Sequence, residues 1–89
     1  MPGVPSKTAS AVAFGRAIRE LRVERGLSQE ELGMRSGVSR AYFGKVERGD
    51  ANPTFETIVK VSGGLQVPAA ELVALAQRYL EQRGPRNRG

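Results

Sequence analysis

The residues with the clearest chemical potential lie in the segment SRAYFGKVERG, residues 39–49. A helix over this segment has one side made of small and basic residues, namely Ala41, Gly44, Lys45 and Arg48. Basic side chains donate hydrogen bonds to phosphate oxygens and to guanine N7 and O6, and small residues let a helix approach its partner closely. The pattern therefore predicts an outward face that contacts nucleic acid.

A glycine in the middle of this helix needs a reason, because Gly44 costs the helix about 1 kcal/mol relative to alanine. We interpret Gly44 and Ala41 as lowering the helix surface, so that Lys45 and Arg40, in the first turn, reach base edges in the major groove. The alternative is that Gly44 makes room for a neighbouring helix and that the cations form a solvated surface.

Composition agrees with a polyanionic partner and argues against catalysis. The 89 residues include 14 Lys and Arg but only 9 Asp and Glu, and the net charge of +5 suits nucleic acid or an acidic membrane surface. Cysteine and histidine are absent, which excludes disulfides, thiolate nucleophiles, the common zinc sites and the usual near-neutral general base. We therefore expect no enzyme, no catalytic residues, no metal, no cofactor and no small-molecule ligand.

The chain is predicted to be cytoplasmic and to have one domain. No apolar run approaches the length of a membrane span, and the N-terminal segment MPGVPSKTAS lacks the apolar centre of a signal peptide. Residues 1–9 are expected to form a flexible arm and residues 84–89, GPRNRG, a disordered basic tail. The domain itself is expected over residues 10–83.

The second and third helices can be placed from their capping residues. Ser28 and Glu31 have the spacing of a capping box at the start of the second helix, and Gly37 stands where a left-handed residue would end it. Only Gly37 and Val38 separate that end from Ser39, the cap of the third helix. Two short helices joined by a tight turn containing glycine are the signature of a helix-turn-helix.

Three further helices complete an all-α prediction. The first is expected from Ser10 to Gly26, and the last from Pro68 to about Arg83. The fourth is expected to begin with Thr54 as its cap and to end at Gly63 and Gly64. Its predicted buried residues are Phe55, Ile58 and Val61, or positions near them.

Two charged residues stand where apolar residues belong. Arg22 falls on the inward stripe of the first helix, and Glu47 falls on the inward side of the third. Opposite charges in such positions predict a largely buried ion pair that joins the two helices. The alternative is that both side chains extend to water independently.

The run LRVERGLSQEELGMRSGVSRAYFGKVERGDANPTFETI, residues 21–58, resembles the phage repressor and Cro-type helix-turn-helix family. The resemblance covers Ile18 to Leu75, about two-thirds of the chain. It implies a compact five-helix, lambda-repressor-like DNA-binding domain. The long final helix is similar to that of restriction-modification controller proteins, which implies a homodimer formed through that helix.

The resemblance also implies roles for individual residues. It implies that Arg40, Ala41, Gly44 and Lys45 contact the DNA bases. Contacts to the DNA phosphates fall to Ser28, Gln29, Ser39, Tyr42, Arg48, Asn52 and Thr54. Many family members have Gln, Ser or Thr early in the recognition helix, so the Arg40–Ala41 pair implies a different operator.

Two functions of different classes follow. The first is a sequence-specific regulator of transcription that binds double-stranded DNA as a homodimer on a pseudo-palindromic operator, with its dimer interface at Leu72, Leu75, Ala76, Tyr79 and Leu80. The second is an antitoxin-like module whose last helix binds another protein and which regulates its own gene through DNA. RNA binding is less favoured, because Tyr42 alone offers an aromatic ring for base stacking on the predicted surface.

Overall fold

The computed structural model describes residues 7–82, which form five helices and no strand. The helices are α1 (Ala9–Glu24), α2 (Gln29–Ser36), α3 (Arg40–Arg48), α4 (Phe55–Leu65) and α5 (Ala69–Gln82). The predicted all-α, five-helix architecture is therefore confirmed. Within residues 7–82 no single helix is long and apolar enough to cross a membrane, and the one pair that qualifies jointly, α4 with α5, is bent by 105°.

Four helices begin at a hydroxyl cap. The side-chain oxygens of Ser28, Ser39 and Thr54 each accept a hydrogen bond from the backbone N–H three residues on, at 3.0–3.1 Å. At α2 the capping box is complete, because the Ser28 N–H also donates to the Glu31 carboxylate at 2.8 Å. Thr8 caps α1 in the same way, so this helix begins at Ala9, inside the segment predicted as an arm.

The end of α4 differs from the prediction. Gly63 and Gly64 lie inside the helix, which continues to Leu65 and ends at Gln66 with a left-handed φ of 62°. A Cβ on Gly64 would lie 2.5 Å from the Ser36 Oγ, so this glycine lets α4 approach α2 closely. Tertiary packing, rather than a helix stop, explains this glycine.

The core lies where α1 packs along α5 and crosses α3, while α2 packs on α4. Its largest fully buried side chains are those of Ile18, Leu32, Phe43, Val46, Val61, Leu65 and Leu72. Leu72 therefore belongs to the core of the single chain and not to the dimer surface on which the prediction places it. Phe55, predicted to be buried, is 76% exposed, because the first residue of α4 projects away from the core.

The crossing of α1 and α3 depends on a glycine that the sequence pattern did not single out. A Cβ on Gly15 would lie 2.3 Å from the Glu47 carbonyl oxygen and 2.8 Å from that of Val46. Both atoms belong to the backbone near the end of α3 and cannot swing aside. Gly15 therefore sets how closely α3 rests on α1.

Candidate nucleic-acid interface

The outward face of α3 presents its side chains to solvent. Arg40, Ala41, Lys45 and Arg48 are exposed, while Phe43, Val46 and Glu47 on the opposite side are buried. The predicted division of the helix into two faces therefore holds for these side chains. The four exposed residues and the buried Gly44 that lies among them form one surface along the helix, which we call the α3 face: Arg40, Ala41, Gly44, Lys45 and Arg48.

Gly44 lies beneath a side chain of its own helix. It is buried, but a Cβ added to it would meet only the Arg48 guanidinium, with Nη1 at 3.1 Å and Cζ at 4.0 Å. No neighbouring helix approaches Gly44, which removes the packing alternative for this glycine. The low point of the α3 face is thus covered by a flexible cation that can move away.

A buried network fixes the inward side of α3. The Arg22 Nε donates to the Glu47 Oε2 at 2.7 Å, and its Nη2 donates to Oε1 at 3.1 Å. The Arg22 Nη1 donates to the Leu27 carbonyl at 2.8 Å, so the guanidinium connects α1, the α1–α2 loop and α3. The two side chains are 12% and 3% exposed, so the pair has the burial that its sequence positions suggest.

Gln29, expected at a phosphate, also belongs to this network. It is half-buried at the first position of α2, and its side-chain amide donates to the Glu47 carboxylate. The Glu47 carboxylate therefore receives hydrogen bonds from residues of α1 and α2. The consequence is that the start of α2 and the α3 helix are held in one fixed relation.

The hydroxyl candidates for phosphate contact lie at helix starts. Ser28, Ser39 and Thr54 are exposed, and each uses its oxygen as the acceptor in a cap, while the Thr54 hydroxyl also lies 3.0 Å from the Thr57 hydroxyl. Helix N-termini carry a partial positive charge that favours an anion such as phosphate. The candidates for phosphate contact therefore include the N-termini of three helices, α2, α3 and α4.

Two candidates are held by neighbours. Tyr42 is half-buried, and its hydroxyl lies 3.4 Å from the Thr57 Oγ1, so most of the ring packs against the core. The Asn52 side chain is exposed, and its carbonyl oxygen accepts a hydrogen bond from the Thr8 hydroxyl at 3.2 Å. Thr8 thus connects the start of α1 to the loop after α3.

The sequence pattern missed an acidic residue beside the α3 face. The Asp50 carboxylate lies 3.2 Å from the Arg48 Nε and 3.8 Å from the Lys7 Nζ. Asp50 is the only aspartate of the chain and directly follows the glycine that ends α3, which is the signal that could have drawn attention to it. Lys7 lies in the segment, residues 1–9, that composition predicts to be a flexible arm.

The predicted interface residues of α5 divide into two groups. Leu75, Ala76 and Tyr79 are half-buried against the core, whereas Leu80 is 36% exposed. Leu80 lines an open, mostly apolar groove between α1, α4 and α5, together with Phe14, Pro53, Ile58, Val73 and Ala76. This groove is the apolar surface that α5 leaves open.

Tyr79 connects α5 to α1 through its polar end and its ring. Its hydroxyl donates to the Glu20 carboxylate, and the Arg16 guanidinium lies 4.3 Å from its ring centroid. The hydrogen bond to Glu20, aided by desolvation, raises the pKa of the Tyr79 phenol above its ordinary 10.0. Tyr79 therefore helps to set the position of α5 on α1.

No group of His, Cys, Asp or Glu within the described part of the chain could hold a metal ion.

Comparison with known proteins relates these features to a family. The family model described as Helix-turn-helix matches residues 18–72. The transcriptional repressor RstR of the cryptic phage CTXphi of Vibrio cholerae is 37% identical over 70 residues, which cover 79% of this chain and 63% of RstR. The control protein C.MunI of Mycoplasma sp is 32% identical over 62 residues, which cover 68% of this chain and 84% of C.MunI. The crystal structure of the restriction-modification controller protein C.AhdI of Aeromonas hydrophila superposes with a TM-score of 0.71 at 45% identity, covering 73% of this chain and 98% of C.AhdI.

Proposed function

Since this chain belongs to the helix-turn-helix family, we propose that it is a sequence-specific regulator of transcription that acts in the cytoplasm on double-stranded DNA. The observation that carries the proposal is the α3 face, whose cations are exposed while its opposite side is fixed by Arg22, Glu47 and Gln29. A rigid helix with a cationic, low surface suits entry into the major groove. The names of its relatives, which include a phage repressor and controller proteins, support the same function.

The proposed contacts divide by role. Base edges are read from the α3 face by Arg40 and Lys45, with Ala41 and Gly44 allowing the helix backbone to come close. Phosphates are bound around this face, where they fix the position of the helix without selecting sequence. The proposed phosphate-binding residues are Ser28, Gln29, Ser39, Tyr42, Arg48, Asn52 and Thr54.

We further propose that the functional form is a homodimer. Two recognition helices then occupy successive major-groove segments of a pseudo-palindrome, with centres about 34 Å apart. The proposed contact surface is the groove lined by Val73, Ala76 and Leu80, where Val73 and Leu80 are 43% and 36% exposed within the described residues 7–82. Leu75 and Tyr79 lie outside this groove, on the side of α5 that faces Glu20 of α1.

The test is a binding selection from a random duplex library at a stated salt concentration, followed by Arg40→Ala measured on the selected site and on a duplex of mixed sequence. We expect Arg40→Ala to lose roughly 1–3 kcal/mol on the selected site and little on the mixed duplex. Glu24→Gln, which alters an exposed residue on α1, serves as the control. Equal losses on both duplexes would remove Arg40 from base reading, and recovery of no enriched site would overturn the function.

A second function is favoured by the same apolar groove. Val73 and Leu80 are 43% and 36% exposed, as they would be if α5 bound a different protein in an antitoxin-like module. The oligomeric state separates the two. A dimer at micromolar concentration favours the homodimeric regulator, and a monomer with an exposed groove favours the partner-binding module.

A further inference from the structure

The inference concerns Asp50, which faces the cations at the edge of the α3 face. Its Oδ2 lies 3.2 Å from the Arg48 Nε, and its Oδ1 lies 3.8 Å from the Lys7 Nζ. The same Arg48 guanidinium covers Gly44, the position where the α3 backbone is open to close approach. One carboxylate therefore holds two cations, and one of these cations covers the low point of the surface.

The carboxylate is held by the backbone at the end of α3. The Asp50 N–H donates to the Lys45 carbonyl at 2.8 Å, and the Gly49 N–H donates to the Val46 carbonyl at 3.1 Å. Gly49 adopts a left-handed φ of 82°, so both hydrogen bonds belong to the C-cap of the helix. Asp50 is thus fixed beside Arg48 by the fold, and its side chain is only 32% exposed.

We propose that Asp50 limits the affinity of this protein for DNA by competing with the phosphates for Arg48 and Lys7 and by keeping Arg48 over Gly44. The inference rests on the proposed DNA-binding function and adds an affinity-determining residue to that site. A carboxylate and a phosphate accept the same charge-assisted hydrogen bonds from a guanidinium. When DNA enters, Arg48 leaves Asp50, uncovers Gly44 and binds the DNA backbone instead.

The expected effect on DNA affinity is modest, because the Lys7 and Arg48 side chains in these ion pairs are more than half exposed. DNA binding must break the ion pairs of Asp50 with Arg48 and Lys7, and this cost weakens the affinity. Asp50→Asn removes the ion pairs and therefore removes the cost. For exposed pairs this corresponds to roughly two- to tenfold tighter binding of Asp50→Asn. The gain is expected on the selected site and on a mixed-sequence duplex alike, because phosphates are present in both.

The decisive experiment measures Asp50→Asn in two backgrounds, at one stated salt concentration. In the wild-type background Asp50→Asn is expected to tighten DNA binding. In the Lys7→Ala/Arg48→Ala background the gain in affinity is expected to fall to the gain produced by removing a distant negative charge. Glu24→Gln is the matched control, since it removes one negative charge and the surface ion pair of Glu24 with Arg25, 3.8 Å apart, beside the α1–α5 cleft. A gain equal to that of Glu24→Gln, or one that persists in the double-alanine background, overturns the proposal.

A second measurement needs no DNA. In ¹⁵N-edited NMR spectra of the free chain, Asp50→Asn is expected to shift the Arg48 Nε–H and Gly44 amide resonances, and Glu24→Gln to leave both unchanged. Unshifted resonances would overturn the contact itself. If the resonances shift but the chain binds no duplex, the contact between Asp50 and Arg48 is upheld. The proposed function is then overturned, and with it the proposed competition between Asp50 and the phosphates.

Discussion

The Glu47 carboxylate shows how one residue can hold the α3 face in place. It lies on the buried side of α3, 3% exposed, and its oxygens accept hydrogen bonds from Arg22 and Gln29. A carboxylate that leaves water requires such partners, since an unpaired buried charge is costly. The network therefore stabilises the fold chiefly by keeping the buried Arg22 and Glu47 charges paired.

The first prediction follows from this pairing. Glu47→Ala is expected to lower the free energy of unfolding by about 3–5 kcal/mol, because it leaves the Arg22 guanidinium buried without its anion. Urea unfolding at neutral pH measures the change. The double variant Arg22→Met/Glu47→Leu serves as the control and is expected to lose less than Glu47→Ala alone. A single-variant loss below about 1 kcal/mol would show that the guanidinium finds water instead.

The sequence indicated this pair but not its third member. Arg22 and Glu47 were identifiable because each breaks the apolar stripe of its own helix, and opposite signs suggest pairing. Gln29 breaks no stripe, since polar residues in a first helical turn usually face water, so its bond to Glu47 depends on how α2 rests against α3. Asp50 was not predictable for a different reason: acidic residues are common in turns for local reasons, so an aspartate there does not indicate a contact with Arg48.

At the scale of elements, the start of α2 gives a prediction about pH. The Ser28 backbone N–H, and then its hydroxyl, lower the pKa of the Glu31 carboxyl below its ordinary 4.5. A lowered folded-state pKa contributes stability that is present above pH 4.5 and is lost as pH falls through the folded value. We expect the stability of Glu31→Gln to fall less steeply below pH 4.5 than that of the wild type. Thermal unfolding between about pH 3 and 6 measures this, and parallel curves would contradict it.

The glycines of α3 and α4 provide a matched comparison between folding and binding. A Cβ on Gly44 meets only the movable end of Arg48, and a Cβ on Gly63 meets nothing within 4 Å. Both Gly44→Ala and Gly63→Ala are expected to stabilise the fold by up to about 1 kcal/mol, since alanine favours a helix interior. Only Gly44→Ala is expected to weaken DNA binding, because its methyl group raises the α3 face.

Urea unfolding and binding to the selected duplex separate the two effects. Equal affinity of Gly44→Ala and Gly63→Ala for DNA would mean that close approach at Gly44 is unnecessary. Loss of stability in Gly44→Ala would mean that the Arg48 guanidinium cannot move aside.

Helix boundaries were predictable where they depend on local chemistry. The caps Ser28, Ser39 and Thr54 and the left-handed Gly37 stand where their side chains and backbone preferences put them. The end of α4 was not predictable, because Gly64 serves a contact with α2 that depends on tertiary structure. Gly15 escaped notice for the same reason, since its closest neighbours belong to α3.

At the scale of the whole molecule, two kinds of surface are kept apart. The α3 face is cationic and rests on a buried polar network, whereas the α5 groove is apolar and is supported by α1 and α4. The cations of the α3 face do not line the groove, so DNA binding and protein association would not compete for these cations. Asn52, a proposed phosphate contact, does line the groove. The five helices were predictable from capping residues and periodicity, and the basic face from periodicity. The division of α5 into core and surface was not predictable, because Leu72 and Leu80 belong to one apolar stripe.

This separation leads to the last prediction, Leu80→Glu. If the groove joins two copies, the carboxylate is buried at the interface without a partner, at a cost above the roughly 1.4 kcal/mol that corresponds to a tenfold change. The dissociation constant of the dimer, measured by sedimentation, is therefore expected to rise at least about tenfold. Val23→Glu is the control, because Val23 is 58% exposed on α1 and does not line the groove.

The DNA readout distinguishes loss of the dimer from loss of the fold. Leu80→Glu is expected to bind a single half-site as well as the wild type does, since Arg40 and Lys45 are untouched. It is expected to lose the advantage that the wild type has on two half-sites about 34 Å apart, because that advantage requires both copies to be joined. An unchanged dimer in Leu80→Glu would assign the groove to some role other than self-association, and weaker half-site binding would point instead to a disturbed domain.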